Sequence, residues 1–170
     1  MKRFLAAVLS LSLLGCTLPA HALDGVTVEY GAGTHAVHLW RIGLQFDQEP
    51  TEWMDRHSRW SWYWDLALGG WHSDTGTVHD VSATPVFRYA KRSRGPYLEG
   101  AIGFHVLSDS HISTDLGFST RFQFGDHLGV GYDEGAWGWQ LRLQHISNGG
   151  MRNPNPGINF LILRLQYKLP

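Results

Sequence analysis

A histidine and a serine two residues apart near the C-terminal end of the chain have the types and spacing for nucleophilic catalysis. His145 and Ser147 lie in the segment Trp137–Asn148, WGWQLRLQHISN. Successive side chains of a β-strand point to opposite faces, so His145 and Ser147 share a face, where a histidine can act as general base to a serine nucleophile. The other residues of that face are apolar: Trp137, Trp139, Leu141 and Leu143. A polar pair at the end of an apolar face has to be explained by what that face contacts.

The rest of the chain shows the same alternation and predicts the strands that must position this pair. The sequence holds eight Trp, eight Phe, six Tyr and 20 Gly, without a convincing helical period, which favours an all-β fold. Eight segments alternate apolar residues with small, polar or charged ones: 26–30, 40–46, 60–68, 81–89, 98–106, 122–130, 137–147 and 161–169. Eight such strands are expected to close into an antiparallel β-barrel.

The row opposite the apolar one decides which kind of barrel is expected. It carries charges of both signs, which could pair inside a narrow barrel: Glu29, Arg41, Asp65, Arg88, Glu99, Arg121, Arg142 and Arg164. The apolar row would then face lipid, and the Trp and Tyr residues near strand ends would form interfacial girdles. The sequence therefore favours an eight-stranded antiparallel outer-membrane β-barrel over a soluble lipocalin-like barrel.

The N-terminal residues predict export from the cytoplasm. Residues 1–22 combine Lys2 and Arg3, an apolar run and Ala20-His21-Ala22, which is typical of a secretory signal peptide, so the barrel domain is expected over residues 23–170. Processing as a lipoprotein at Cys16 is the alternative. As Cys16 is the only cysteine, a disulfide within the chain is excluded, and the net charge of −1 argues against a nucleic-acid partner.

An even number of strands puts both termini at one end of the barrel, which for an outer-membrane protein is expected to be the periplasmic end. The outer surface would then carry the segments 31–34, 73–77, 108–119 and 149–157. The inner connections would be 48–59, 91–95 and 133–136. His145 and Ser147 are therefore expected on the lipid-facing row, at the outer end of the seventh strand.

The residues from His145 to Asn159, HISNGGMRNPNPGIN, resemble the C-terminal signature of the lipid A 3-O-deacylase (PagL) family. The resemblance implies an outer-membrane serine esterase that removes the 3-hydroxyacyl chain at position 3 of lipid A, with lipopolysaccharide as substrate and no cofactor. It also implies that His145 is the general base and Ser147 the nucleophile. A lipid-facing pair suits a substrate that lies in the outer leaflet.

The third catalytic residue departs from the resemblance, because the compared member of the family has a Glu as the triad acid where this chain has Asn159. Asn159 is expected to face outward beside His145; an Asn can hold a histidine tautomer but cannot stabilise the imidazolium by charge. Asp126 is an alternative acid. Pairing of residues whose numbers sum to about 269 puts it opposite Leu143 and diagonal to His145 on the lipid row, whereas a one-residue bulge would turn it inward. Both readings of Asp126 stay open.

The loop after Ser147 supplies the expected oxyanion and substrate contacts. Side-chain amides of Asn148 or Asn155 and backbone N–H groups near Gly150 could stabilise an oxyanion. Arg152 is expected either to meet lipid A phosphates or to be a solvated loop charge. No metal site is expected, because the histidines match no ligand spacing.

Three other functions remain as alternatives. The principal one is a non-enzymatic outer-membrane barrel with a structural or adhesive role, which would not need His145 and Ser147 on the lipid row. The others are a barrel acyltransferase, which would need a pocket for an acyl chain in the lumen, and a soluble periplasmic binder. A homodimer is a further possibility that the sequence does not decide.

Overall fold

The computed structural model describes residues 23–56 and 59–170. The predicted signal peptide, with Cys16, lies outside these residues. Within these described residues, ten strands follow each other: β1 Gly25–Gly33, β2 His38–Asp47, β3 Trp60–Ser73, β4 Gly76–Ala90, β5 Gly95–Leu107, β6 His111–Ser113, β7 Leu116–Gly117, β8 Phe122–Glu134, β9 Trp137–Ser147 and β10 Ile158–Lys168. A 3₁₀ turn spans Thr34–Ala36, and one short helix, α1, spans Glu52–Arg56. Within the described part, no helix is long and apolar enough to cross a membrane.

Eight of these strands form a closed antiparallel barrel, as predicted. Each barrel strand pairs with the next one along the chain, and β10 pairs with β1 to complete the circle. The two short strands, β6 and β7, form a separate hairpin within the connection between β5 and β8. Because both termini lie at one end, this hairpin and the loop after β9 lie together at the other end, which we call the outer end.

The outer surface of the barrel is apolar because the side chains alternate as the sequence predicts. Leu128 and Leu143 are 73% and 66% exposed, while their strand neighbours His127 and Gln144 are buried. Exposed apolar rows of this kind on a closed barrel are stable in contact with lipid. The alternation therefore fixes which residues reach the membrane.

The middle of the barrel interior holds a network of buried ion pairs. Glu29 accepts hydrogen bonds from Arg41 (2.7 Å), Arg142 (2.8 Å) and Arg164 (2.7 Å). Towards the end with the termini, Arg88 donates to Glu99 at 2.6 Å and to Asp133 at 3.0 Å. Seven of the eight charged residues predicted for this row are buried. Arg121 is the exception: it is exposed, because it precedes β8 rather than lying within it.

The interior at the outer end is apolar, although the sequence pattern predicts charged and polar residues along the inward row. Inward-facing side chains from several strands pack there against the loop between β5 and β8. The cluster consists of Val37, Leu39, Trp71, Val78, Leu107, Ile112, Leu116, Phe118, Ile146, Ile158, Phe160 and Ile162. We call these residues the apolar plug. They close the outer mouth of the lumen and connect the outer loops to the strand ends.

Candidate active site

Three neighbouring strands bring the candidate catalytic residues together at the outer end. His145 on β9 pairs directly with Asn159 on β10 and with Asp126 on β8. The prediction that Asp126 lies opposite Leu143 was wrong. The β8–β9 turn is centred one residue later than assumed, between Gly135 and Ala136, because Glu134 pairs with Trp137; this shift moves Asp126 beside His145. Both neighbours of His145 point outward, because directly paired residues share a face.

Asn159 holds the His145 ring in a defined orientation. The distance between His145 Nδ1 and Asn159 Oδ1 is 2.8 Å. The amide oxygen can only accept a hydrogen bond, so Nδ1 carries the proton and Nε2 keeps its lone pair. The tautomer with the proton on Nδ1 is the one that a histidine needs to act as a base through Nε2. Asn159 is itself held in place, because its backbone N–H donates at 3.4 Å to Thr34 Oγ1 in the 3₁₀ turn after β1.

Asp126 lies on the lipid-facing row, so the reading with an inward-turning bulge was wrong. Its carboxylate is exposed. In the described part of the chain it forms neither a hydrogen bond nor an ion pair with His145. Asp126 therefore neighbours His145 across the β8–β9 pair, whereas Asn159 makes the direct hydrogen bond to its ring.

Ser147 lies two residues beyond His145 on the same face of β9 and is half-buried. The backbone N–H of Gly149 donates to its hydroxyl oxygen at 3.4 Å. No direct hydrogen bond joins Ser147 and His145 among the residues that the structure describes. Catalytic hydrogen bonds are often long in the absence of substrate, so the shared face is the informative observation.

Asn148 points inward and organises the loop that follows β9. It is completely buried, and its side-chain N–H groups donate to Ser119 Oγ at 2.9 Å and to the Arg152 carbonyl at 2.7 Å. Its side-chain oxygen accepts from the Gly150 N–H at 3.0 Å. These bonds leave neither the Asn148 amide nor the Gly150 N–H free to bind an oxyanion in this conformation. The expectation for both is therefore corrected to a role in loop structure.

Asn155 and Arg152, the other two loop residues predicted to contact substrate, each keep a hydrogen-bond donor without a partner among the described residues. The Asn155 side-chain oxygen accepts from the Asn148 backbone N–H at 2.9 Å, which leaves the Asn155 amide hydrogens without a partner among the described residues. Arg152 is exposed, and within the described ranges its guanidinium forms no ion pair. Both groups are thus available to a substrate at the outer surface.

Gly157 and Ser119 contribute to the site although the sequence analysis gave neither a role there. Gly157 has φ +70°, and a Cβ atom at this position would stand 2.7 Å from His145 Cε1. Ser119 Oγ donates to the Arg152 carbonyl at 2.8 Å, which ties the loop before β8 to the loop after β9. A glycine immediately before the last strand was the available signal for Gly157; Ser119 gave none, because its contact depends on how distant loops meet.

The outer loops are also tied to each other away from the site. Asp74, in the β3–β4 turn, accepts hydrogen bonds from Thr114 Oγ1 at 2.6 Å and from the Thr114 N–H at 3.2 Å. These bonds hold the pKa of the Asp74 carboxyl below its usual range. In the described part of the chain, no three His, Cys, Asp or Glu side chains are grouped to hold a metal ion.

The family model for lipid A 3-O-deacylase (PagL) matches residues 38–168, which include every strand that carries the site. The chain belongs to this family. A lipid A deacylase PagL from Bordetella bronchiseptica is 32% identical over 176 residues, which cover 96% of this chain and 94% of that protein. The lipid A deacylase PagL of Pseudomonas aeruginosa is 29% identical over 175 residues, covering 100% and 99%.

The fold is similar to a solved structure of the same family. The crystal structure of the outer membrane enzyme PagL superposes with a TM-score of 0.76 at 26% identity, covering 85% of this chain and 99% of that one. The resemblance inferred from residues 145–159 is thereby confirmed across the barrel. The chain is a β-barrel of the bacterial outer membrane.

Proposed function

We propose that this member of the PagL family hydrolyses the ester that links a 3-hydroxyacyl chain to position 3 of lipid A, with Ser147 as nucleophile and His145 as general base. The observation that carries the proposal is the His145–Asn159 hydrogen bond of 2.8 Å on the lipid-facing surface, two residues before Ser147 on the same face of β9. A non-enzymatic barrel has no use for an oriented imidazole in that place. The proposal explains why the polar residues lie among apolar ones.

The reaction is an acyl transfer to water in two steps. His145 Nε2 takes the Ser147 proton while the serine oxygen attacks the ester carbonyl carbon. The resulting imidazolium then protonates the departing sugar oxygen, which leaves an acyl-serine. Water, deprotonated by the same nitrogen, attacks the acyl-serine, and the proton returns to Ser147 as the fatty acid leaves. No metal or cofactor is needed to balance these steps.

Two groups are suited to stabilise the oxyanion of each tetrahedral intermediate. The Gly149 N–H already lies 3.4 Å from the Ser147 oxygen, and the free Asn155 amide belongs to the same loop. Removing a single oxyanion donor typically costs about 10²–10³ in kcat. The Gly150 N–H would serve only after leaving Asn148. Arg152, exposed on this loop, is assigned to the phosphates of lipid A.

The position on the outside of the barrel suits a substrate embedded in the membrane. Lipid A in the outer leaflet reaches the site by lateral diffusion, with its acyl chains still in the bilayer. A soluble esterase would first have to extract those chains, at about 0.8 kcal/mol per CH₂ group. The lipid-facing pair avoids that cost.

Mass spectrometry of lipid A from cells that express the wild type or Ser147→Ala tests the proposal. We expect the wild type to remove one 3-hydroxyacyl chain and Ser147→Ala to lose at least about 10³-fold in rate, as in other serine hydrolases. Heat-modifiable migration in gels would establish that both barrels are folded. Deacylation by a folded Ser147→Ala would exclude the serine as nucleophile, and unchanged lipid A in both strains would favour the structural barrel.

Asn159→Ala and Asp126→Asn separate the two candidates for the third residue. We expect Asn159→Ala to lower kcat with little change in KM, because the substrate does not need the histidine tautomer to bind. An Asn159→Asp variant should retain activity, since it keeps the acceptor for Nδ1. A larger loss of kcat in Asp126→Asn than in Asn159→Ala would transfer the orienting role to Asp126.

A further inference from the structure

The turn between β4 and β5 is the most basic connection of the barrel and has no role in the proposed reaction. It reads Lys91-Arg92-Ser93-Arg94, and all four residues are exposed. Across residues 23–56 and 59–170, none of these three cations forms an ion pair with a carboxylate. The turn lies at the end with both chain termini, where the Leu169 N–H donates to the Asp24 carbonyl at 2.8 Å.

A fourth cation lies beside this turn. The Ala90 N–H donates to the Arg59 carbonyl at 2.8 Å, which puts Arg59 next to Lys91. The Arg59 guanidinium donates to Tyr89 Oη at 3.3 Å. Carboxylates lie at the same end: Glu134 on β8, Glu49 and Glu52 in the β2–β3 connection, and Asp24, Asp47 and Asp133, which line the lumen mouth with Arg92. Among the described residues none of them forms an ion pair with Arg59 or with the cations of the turn, so the corner formed by 59 and 91–94 keeps four cations for an external anion. We call it the basic corner.

An apolar groove runs along the lipid-facing surface from the basic corner. It has a volume of about 380 Å³ and is lined by Trp60, Phe87, Tyr89, Leu98, Glu99, Gly100 and Leu128. The Glu99 carboxylate itself lies in the lumen, where it accepts a hydrogen bond from Arg88. At its start the Trp60 and Tyr89 rings pack at a centroid distance of 5.2 Å, which is typical of aromatic side chains at headgroup depth. The missing side chain of Gly100 forms the depression; a Cβ there would reach van der Waals contact with Leu128 at 3.4 Å.

We propose that the basic corner and this groove bind an anionic glycerophospholipid of the periplasmic leaflet. The headgroup phosphate contacts the cations of the turn, and one acyl chain lies in the groove over Gly100. Several cations that form no ion pair favour a net negative headgroup over a zwitterionic one. Each basic residue near a membrane surface raises the affinity for anionic lipid about fivefold. Lipid A meets the opposite end of the barrel, so the two lipids use separate sites.

Native mass spectrometry of the full chain, released from nanodiscs with equal phosphatidylglycerol and phosphatidylcholine, tests this site. We expect wild-type adducts to favour phosphatidylglycerol, and Arg92→Gln/Arg94→Gln to reduce that ratio by about fivefold per cation removed. Arg121→Gln removes an exposed charge at the outer end that has no assigned ligand and should retain the ratio. A ratio near one in the wild type, or an equal loss per removed charge in the two variants, would overturn the proposal.

Two further variants separate the groove and the enzyme from the charge effect. Gly100→Leu fills the groove and should lower adducts of both lipids without changing their ratio; an unchanged number of adducts would overturn the role of the groove. Ser147→Ala should keep the wild-type ratio, because this site does not depend on the reaction. The lipid site and the deacylase proposal can therefore fail independently.

Discussion

The lumen of this barrel has two halves that are stabilised by different forces. In the middle and towards the termini, Glu29, Glu99 and four arginines form a continuous set of charge-assisted hydrogen bonds, in which Arg142 donates to both carboxylates. At the outer end the same inward-facing row becomes apolar, and side chains such as Trp71 and Phe160 pack with centroids 5.2 Å apart. The candidate site lies on the outside of the second half. Its loops therefore rest on packed side chains rather than on ion pairs.

One inward-facing row of a barrel can therefore serve two purposes along its length. Removing one partner of a buried ion pair leaves the other charge uncompensated and lowers stability strongly. The ionic half is therefore sensitive to the loss of any member. The apolar plug holds the outer loops through many weak contacts and leaves polar groups such as Ser119 and Asn148 to set loop geometry. Stability and site geometry can thus be perturbed separately.

Breaking the ionic half should give the largest effect. Arg164→Leu removes the cation that contacts both Glu29 and Asp65 and leaves these carboxylates buried with fewer partners. We expect the free energy of unfolding to fall by about 3–5 kcal/mol, measured as the urea midpoint in detergent micelles, with activity falling in parallel with the folded fraction. Arg121→Leu, which alters an exposed arginine, should leave the midpoint unchanged. Equal midpoints for both variants would contradict the importance of the network.

A change beside the site should separate activity from stability. Gly157→Ala places a methyl group 2.7 Å from His145 Cε1 and also forces alanine to adopt φ +70°. Gly135→Ala imposes a similar strain at φ +61° with no atom within 4 Å of the new methyl group. Both variants should lose about 1–2 kcal/mol of stability, but only Gly157→Ala should lose most of its kcat. Full activity in a folded Gly157→Ala would show that the ring position is not critical.

The smallest effect is expected at the loop tie formed by Asp74. Its folded pKa lies below the unfolded value, so the tie contributes stability above the ordinary pKa of an Asp, near about 3.9, and loses it as pH falls through the lower folded pKa. Proteolysis of the 108–121 loop should therefore increase at acid pH in the wild type, measured with an acid-active protease. Asp74→Asn should be cut at a nearly constant rate across the same pH range. A wild type with no pH response would argue that Thr114 is held by other contacts.

Much of the fold was predictable from the sequence because the membrane imposes a simple rule. Lipid outside and ion pairs inside give a strict period of two, so the eight strands, the outward direction of His145, Ser147 and Asn159, and seven of the eight inner charges followed from parity. The register of strand pairing was harder to predict than the direction of the side chains. A change of two in the sum of paired residue numbers keeps every side chain on its face, so alternation alone cannot distinguish Leu143 from His145 as the partner of Asp126.

The parts that could not be predicted depend on contacts between loops. Asn148 and Gly150 lie in a loop whose polar residues suggest oxyanion donors, yet their hydrogen bonds are made within that loop and to Ser119, which lies 29 residues earlier in the chain. The apolar plug combines inward strand residues with Ile112, Leu116 and Phe118 from the connection between β5 and β8. Parity says nothing about such residues, because they do not belong to the barrel strands.

The position of Asn159 on the last strand has a consequence for biogenesis. β10 pairs both with β9, where His145 lies, and with β1, which completes the circle. The proposed orienting partner faces the histidine across the β9–β10 pair, and its backbone N–H is held by Thr34 beyond β1, so Asn159 is fixed from both sides only in the closed barrel. Full catalytic competence would then accompany closure of the barrel, and a chain that has not closed would attack the surrounding lipid less effectively. Deacylation could serve as a reporter of barrel maturation.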